Sequence, residues 1–157
     1  MGRRPGLPGA TEFTAEIYRA AAEDRWTALE TLYGNQFYTL TLYTAGVAVE
    51  CMFRAYRARI DPTFDSRHDL FKLERASKFA LIVPAARLSE YGAALSALAV
   101  RWSNNHRYRS PAALRSWLKR LSLDRGITGD PVKENARRAS AAAGVIVAIG
   151  VAQWNRS

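Results

Sequence analysis

Cysteine, histidine and the common nucleotide-binding and metal-binding motifs are scarce or missing in this chain of 157 residues. Cys51 is the only cysteine, which excludes an internal disulfide, and its apolar neighbours indicate a small buried residue rather than a reactive thiol. The sequence has no Walker loop, no G-x-G-x-x-G, no C-x-x-C and no H-E-x-x-H. We therefore predict a protein of a reducing cytoplasm that uses no cofactor and no metal.

Apolar stretches of membrane-spanning length are also missing. Residues 141–152 are apolar throughout, but these twelve residues fall short of the roughly 20 that a transmembrane helix needs. Residues 1–9 have no apolar core long enough for a signal peptide, and we expect residues 1–10 to form a flexible basic tail. Residues 141–152 predict a helix that is buried on all sides, in a bundle or in a dimer interface.

Positive charge is in excess. Lysine and arginine number 23 against 14 aspartates and glutamates, a formal net charge of +9, and 19 of the 23 cations are arginine. This balance predicts a polyanionic partner, RNA or DNA first and an acidic protein second. An arginine-rich proteome would produce the same count. Hydrophobic residues make up 48% of the chain, which argues against disorder.

Helical spacing and capping residues predict an all-α protein. The first helix begins at Thr11 or Thr14, and Asp130-Pro131 is a strong start signal for the last one. The first and last helices are predicted at residues 11–33 and 131–154. Between them, helices are predicted at residues 36–59, 68–78, 85–104 and 111–121. Because the connections are short, we predict an antiparallel bundle of four to five helices, with residues 11–157 as one domain.

The second predicted helix carries a carboxylate inside its apolar stretch. Helical spacing indicates a core face made of Leu40, Tyr43, Val47, Cys51 and Arg54 or Ala55. Glu50 lies within this stretch, and a buried glutamate needs a partner. The candidates are an arginine or histidine from residues 101–108, a backbone amide and a water molecule.

Residues 101–108, which read RWSNNHRY and which we call the motif segment, concentrate polar chemistry after an apolar helix. Arg101 offers a planar fork for phosphate oxygens, and His106 is able to take up and release a proton near neutrality. Together they would cleave a phosphodiester without a metal: arginine would stabilise the anionic phosphorane, and histidine would move the proton of the attacking or leaving oxygen.

The spacing of Arg101 and His106 leaves two interpretations open. Five positions on a straight helix turn by roughly 140°, so the side chains would share a site only if the helix broke at Asn104-Asn105 or if a second subunit completed it. Alternatively, the motif segment is a helix C-terminus, where His106 and Arg107 complement the helix dipole and Asn105 is the cap.

Three features, in this order, resemble the HEPN family. The first is a long second helix that reads YTAGVAVE at residues 43–50. The second is an HDL box at residues 68–70, followed by Leu73, and the third is the R-x4-H-x-Y motif of the motif segment. The match covers residues 36–109. For the histidine of the HDL box we favour a capping or loop-fixing role over a catalytic one.

The resemblance implies a usually dimeric helical bundle that is, in many members, a metal-independent endoribonuclease acting as a toxin or in antiviral defence. Arg101 would bind and polarise the phosphate, and His106 would be the general acid/base in a basic cleft of the homodimer. The RNA 2′-OH would attack and leave a 2′,3′-cyclic phosphate. Glu50 would orient Arg101 or His106, and Asn104 and Asn105 would support the site.

Two further residues of the motif segment separate the functional hypotheses. In HEPN toxins paired with a small MNT-type nucleotidyltransferase antitoxin, the motif tyrosine, here Tyr108, is a site of inactivating nucleotidylation. Trp102 departs from the polar residue that nuclease members often have after the arginine, and it is more common in members thought to bind. The leading hypothesis is an RNase toxin, on the basis of Arg101, His106, Tyr108 and the net charge of +9. The alternatives are a non-catalytic subunit that binds a nucleotide or substrate for a nucleotidyltransferase, and a helical interaction module with an accidental motif.

Overall fold

A computed structural model describes residues 13–62 and 68–157, and all regular secondary structure within these ranges is helical. The α-helices are α1 (Ala15–Gly34), α2 (Tyr38–Ile60), α3 (Leu70–Ser77), α4 (Leu88–Arg101), α5 (Pro111–Arg120) and α6 (Pro131–Gln153). Short 3-10 helices occupy Phe79–Ile82, Ala85–Arg87 and Asn104–Tyr108. The predicted tail at residues 1–10 and the alternative cap Thr11 lie outside the described residues.

Four α-helices begin where a short polar side chain caps them. The Thr14 and Ser110 hydroxyl oxygens and the Asp69 and Asp130 carboxylates each accept a hydrogen bond from a backbone N–H in the first turn, over 2.9–3.3 Å. These bonds satisfy donors that a helix start otherwise leaves unpaired. Of the two predicted starts of α1, Thr14 is the cap that the described residues contain, and the Asp130 start of α6 is confirmed.

The four long helices pack on one another, with α6 in contact with α1, α2, α4 and α5. Residues 35–37 connect α1 to α2, which is the most extensively buried helix of the chain. Fully buried aromatic and aliphatic side chains from all parts of the fold meet in the core, among them Leu42, Met52, Phe53, Leu73, Phe79, Leu98, Leu114, Leu118, Ile146 and Ile149. The all-α prediction is confirmed, and the arrangement is a compact helical bundle. The described residues form six α-helices, more than the four to five of the predicted bundle.

Two predicted packing faces are right only in part. On α2 the core residues are Leu42, Ala45, Ala48, Val49, Met52, Phe53, Ala55 and Tyr56, whereas Leu40 is exposed. The other predicted positions Tyr43, Val47 and Cys51 are half-buried against the core and Ala55 is buried. The buried face is wider than predicted because α2 is covered on two sides, by α1 and by α6. In α6 the stretch at residues 141–152 is not buried all round, because Ala141 and Ala152 are exposed in the single chain. Among the described residues, no helix combines the length and apolar character that crossing a bilayer requires.

Candidate functional site

The motif segment begins at the last residue of α4 and passes through a break into a 3-10 helix. α4 ends at Arg101, the next two residues are extended, and the 3-10 helix Asn104–Tyr108 follows. The helix predicted to residue 104 is therefore three residues too long. The break precedes the two asparagines because Ser103 starts the new turn: its hydroxyl oxygen accepts a hydrogen bond from the Asn105 N–H at 3.2 Å.

Trp102 explains why α4 stops where it does. Its indole is buried against α2, and Nε1–H donates to the backbone carbonyl of Tyr43 at 3.0 Å. The ring fills the space over Gly46, where any Cβ atom would overlap the indole. The bulky residue after the motif arginine is therefore a core residue, and it fixes the start of the motif segment to α2.

His106 is almost completely buried, at 1% exposure, and both of its ring nitrogens are engaged inside the protein. Nε2–H donates to the backbone carbonyl of Arg101 at 2.8 Å, while Arg109 Nη1–H donates to Nδ1 at 2.8 Å. The proton lies on Nε2 because the Arg109 guanidinium can only donate, so Nδ1 must be the acceptor. The ring also packs edge-on against Trp117 of α5, with centroids 4.6 Å apart. His106 thus caps a carbonyl at the C-terminus of α4.

These surroundings keep His106 neutral. Burial lowers its pKa from 6.5 to about 4; the hydrogen bond to the Arg101 carbonyl opposes this shift, and the Arg109 charge adds to it. A general base needs a nitrogen within reach of the substrate proton, and in this conformation neither ring nitrogen is free. The geometry favours a role at the helix terminus, but the C-cap of α4 is Trp102 and not Asn105, and His106 acts there as a neutral hydrogen-bond donor. The catalytic role of His106 stays a prediction, and it requires these two hydrogen bonds to open.

The Arg101 side chain leaves the motif segment in another direction, towards α6. Its Nε–H donates to Asn135 Oδ1 at 2.8 Å, and Nη1–H donates to the Ala97 carbonyl at 2.6 Å. Asn135 is fully buried and donates to two backbone carbonyls of its own surroundings. The R-x4-H spacing thus brings the Arg101 backbone to the His106 ring, while no hydrogen bond joins the two side chains. Sequence reasoning missed Asn135, because its role depends on how α6 packs against α4.

Arg101 lines an open groove of about 370 Å³ between α4 and α6, which we call the arginine groove. Arg137, Arg138 and Glu90 are its other charged lining residues. Arg101 is 8% exposed, and no carboxylate in the described part of the chain forms an ion pair with it. Burial, and then the Arg138 charge, lower its pKa, which Glu134 raises. A largely buried cation in this position favours an anion as its counter-charge.

One carboxylate beside the groove offsets part of its charge. Glu134 accepts hydrogen bonds from Arg137 and Arg138 at 2.7 and 3.0 Å, and these bonds, Arg137 first, lower its pKa to about 2. Glu134 therefore stays ionised and holds both guanidinium groups near the groove. Arg101 keeps its charge without such a partner.

Glu50 is buried, as predicted, but its partners differ from those that the resemblance implies. Its carboxylate accepts from Arg54 Nε at 3.1 Å and from His68 Nδ1 at 2.9 and 3.0 Å. The expectation that Glu50 orients Arg101 or His106 is thus wrong for this conformation, because the hydrogen bonds of Arg101 and His106 go elsewhere. Glu50 instead links α2 to His68, two residues before the start of α3, which agrees with a loop-fixing role for His68.

A second basic surface is formed by residues that come after Arg101 in the chain. We call it the arginine face, and it consists of Arg107, Tyr108, Arg109 and Arg120. Sequence reasoning missed it, although a signal was present: residues 91–123 contain six lysines and arginines and not one aspartate or glutamate. Tyr108 is 75% exposed. The pKa of Arg109 is lowered by burial and by the Arg120 charge, which places these two cations within electrostatic reach of each other.

Comparison with models of protein families, with curated proteins and with solved structures finds no match to this chain. The resemblance to the HEPN family therefore rests on the motifs alone. Among the described residues, no three histidine, cysteine, aspartate or glutamate side chains lie close enough together to hold a metal ion.

Proposed function

We propose that this chain is a HEPN-like RNA-binding domain that holds a phosphate of its substrate at Arg101 in the arginine groove. The observation that carries the proposal is the state of Arg101, a largely buried guanidinium with no carboxylate partner among the described residues. Guanidinium groups bind phosphate oxygens through charge-assisted hydrogen bonds. The net charge of +9 supports a polyanionic substrate.

The arginine is positioned in advance for this role. Asn135 and the Ala97 carbonyl occupy Nε and Nη1, and they leave Nη2 without a hydrogen bond in the described structure. A guanidinium whose rotamer is already fixed loses little conformational entropy when it binds a ligand. Arg137 and Arg138 flank the same groove and add two charges that exposed phosphates would meet first.

The geometry supports a protein that binds RNA without cleaving it. Phosphodiester cleavage by the motif would require His106 to reach the 2′-OH, but its two nitrogens are hydrogen-bonded inside the protein. This favours the non-catalytic HEPN subunit, which binds RNA or a nucleotide and presents it to an MNT-type nucleotidyltransferase partner. Homodimerisation of the kind that the HEPN resemblance implies would place two arginine grooves in one assembly.

Loss of two groove charges tests this binding mode. We expect Arg137→Gln/Arg138→Gln to weaken binding of a fluorescent RNA about ten-fold, because one good charge-assisted contact contributes roughly 1.5 kcal/mol. Fluorescence anisotropy at fixed salt measures the dissociation constant. The control variant, Arg25→Gln/Arg75→Gln, loses the same charge on α1 and α3, outside the groove. Equal affinities of the two variants would contradict the proposal.

An endoribonuclease toxin neutralised by a nucleotidyltransferase antitoxin is the second candidate. The exposure of Tyr108 favours it, because a modifying enzyme has free access to this hydroxyl. In this function RNA or a partner would open the His106 hydrogen bonds and release the ring as general acid/base. RNA cleavage in EDTA that depends on His106 would select this candidate over the first.

A further inference from the structure

We propose that the arginine face is a second RNA contact that selects single strands: Tyr108 stacks on an unpaired base, and Arg107, Arg109 and Arg120 bind the phosphates on either side of it. This inference rests on the proposed RNA binding, and it adds a ligand class and a site. Tyr108 then serves as a stacking platform, in contrast to the modification site that the HEPN resemblance implies.

Tyr108 has the exposure and the setting of a stacking residue. It is 75% exposed, which makes it the most exposed aromatic side chain among the described residues. The Arg107 guanidinium carbon lies 4.5 Å from its ring centroid and covers one face. No other aromatic ring or cation contacts the Tyr108 ring in residues 13–62 and 68–157. A ring that is supported on one face and open on the other suits an incoming base.

The arginines around Tyr108 lack counter-charges among the described residues. No ion pair is found for Arg107, Arg109 or Arg120 in the described part of the chain, and the stretch that contains them has no carboxylate. Several other arginines pair with an acid nearby in the sequence, as Arg87 does with Glu90. Closely spaced cations without an acid repel one another, and this repulsion is relieved when phosphate groups bind between them.

The scaffold beneath the arginine face is rigid. Arg109 donates to the buried His106, and its guanidinium carbon lies 5.2 Å from the Trp117 ring centroid. Arg120 ends α5, the helix that also carries Trp117. The caps and core contacts that fix the 3-10 helix and α5 therefore also fix the positions from which these arginines reach a ligand. A site on rigid elements binds without a large ordering cost.

Base stacking distinguishes the ligand from other polyanions. A purely acidic peptide such as polyglutamate would pair with the arginines but offers no ring to Tyr108, and a duplex keeps its bases stacked on one another. An exposed tyrosine among unpaired arginines is the combination that single-stranded nucleic-acid sites use. The exposed ring and the cations thus favour a single-stranded nucleic acid, which the proposed function identifies as RNA.

The test compares a fluorescent single-stranded RNA, the same RNA in a duplex, and polyglutamate as competitor. We expect Tyr108→Ala to weaken single-strand binding by about ten-fold and duplex binding by less than two-fold, whereas Tyr108→Phe keeps the wild-type affinity because stacking is retained. We expect Arg107→Gln/Arg120→Gln to reduce the slope of log affinity against log salt by about 0.7 for each phosphate that the variant no longer neutralises. Arg25→Gln/Arg75→Gln is the charge-matched control.

Failure of this inference is distinguishable from failure of the proposed function. If Tyr108→Ala binds single strands like the wild type while Arg137→Gln/Arg138→Gln binds them weakly, RNA binding stands and the arginine face is excluded. Polyglutamate that competes as well as single-stranded RNA would also overturn the inference. If the wild-type chain binds neither single-stranded nor duplex RNA, the proposed function and the further inference are both wrong.

Discussion

Replacement of Gly46 with alanine is expected to destabilise the fold by about 3 kcal/mol, the upper part of the range for overpacked cores. The new Cβ atom would overlap the Trp102 indole, which is buried and held by its hydrogen bond to Tyr43. The side chain cannot move aside without breaking that bond or displacing the start of the motif segment. Urea denaturation measures the loss as a lower midpoint at unchanged slope.

Gly92→Ala is the matched control for this substitution. Gly92 also lies in a helix, α4, and a Cβ atom there meets no atom within 4 Å. We expect Gly92→Ala to stabilise the protein by about 0.5–1 kcal/mol, because alanine loses less backbone entropy on folding. Adding Trp102→Leu to Gly46→Ala should recover part of the lost stability. A Gly46→Ala variant as stable as the wild type would mean that the Trp102 indole does not lie over Gly46.

The free energy of unfolding is expected to fall by up to about 3 kcal/mol between pH 6.5 and 4, because His106 must be neutral in the fold. Its folded pKa of about 4 lies below the unfolded value of 6.5. Within this window the unfolded chain binds the additional proton. The stability that His106 contributes is therefore complete above pH 6.5 and decreases until the pH reaches the folded value.

Variants of the two histidines assign this pH dependence. His106→Gln keeps a donor for the Arg101 carbonyl but has no titrating ring, so we expect lower stability at pH 7 and a much flatter profile between pH 6.5 and 4. His68→Gln removes the other histidine, which is exposed, and should keep the wild-type slope due to His106. Urea denaturation at half-unit pH steps measures both. A slope that survives in His106→Gln would place its origin elsewhere.

Local signals in the sequence predicted the helix starts and the overall class. Thr14, Asp130 and Ser110-Pro111 act within one turn of the chain, so the backbone needs no distant partner to begin a helix there. The end of α4 was missed because it depends on Trp102 meeting Gly46 and Tyr43, which are more than fifty positions earlier in the chain. No local pattern encodes such a contact.

In the candidate site, too, local features were predictable from the sequence and long-range contacts were not. For Arg101 and His106 to share a site, the R-x4-H spacing required a helix break at Asn104-Asn105 or a second subunit; α4 instead ends earlier, at Arg101, and the two side chains have different partners. The directions of the two side chains were not predictable from the sequence, because they depend on residues far along the chain. Arg101 donates to Asn135 on α6, and His106 packs against Trp117 on α5. The acid-free stretch at residues 91–123, in contrast, is a property of the sequence alone. Its charge pattern is sufficient to indicate a basic surface in this part of the chain.

RNA cleavage measured beside RNA binding tests the central claim, that the motif histidine caps a helix and the arginines bind RNA. Purified wild-type protein and His106→Gln are incubated with labelled single-stranded RNA in EDTA, and samples are analysed by anisotropy and on a denaturing gel. We expect both proteins to bind the RNA and the strand to stay intact with each. Cleavage by the wild type that is absent from the folded His106→Gln variant would contradict it and make His106 the catalytic residue.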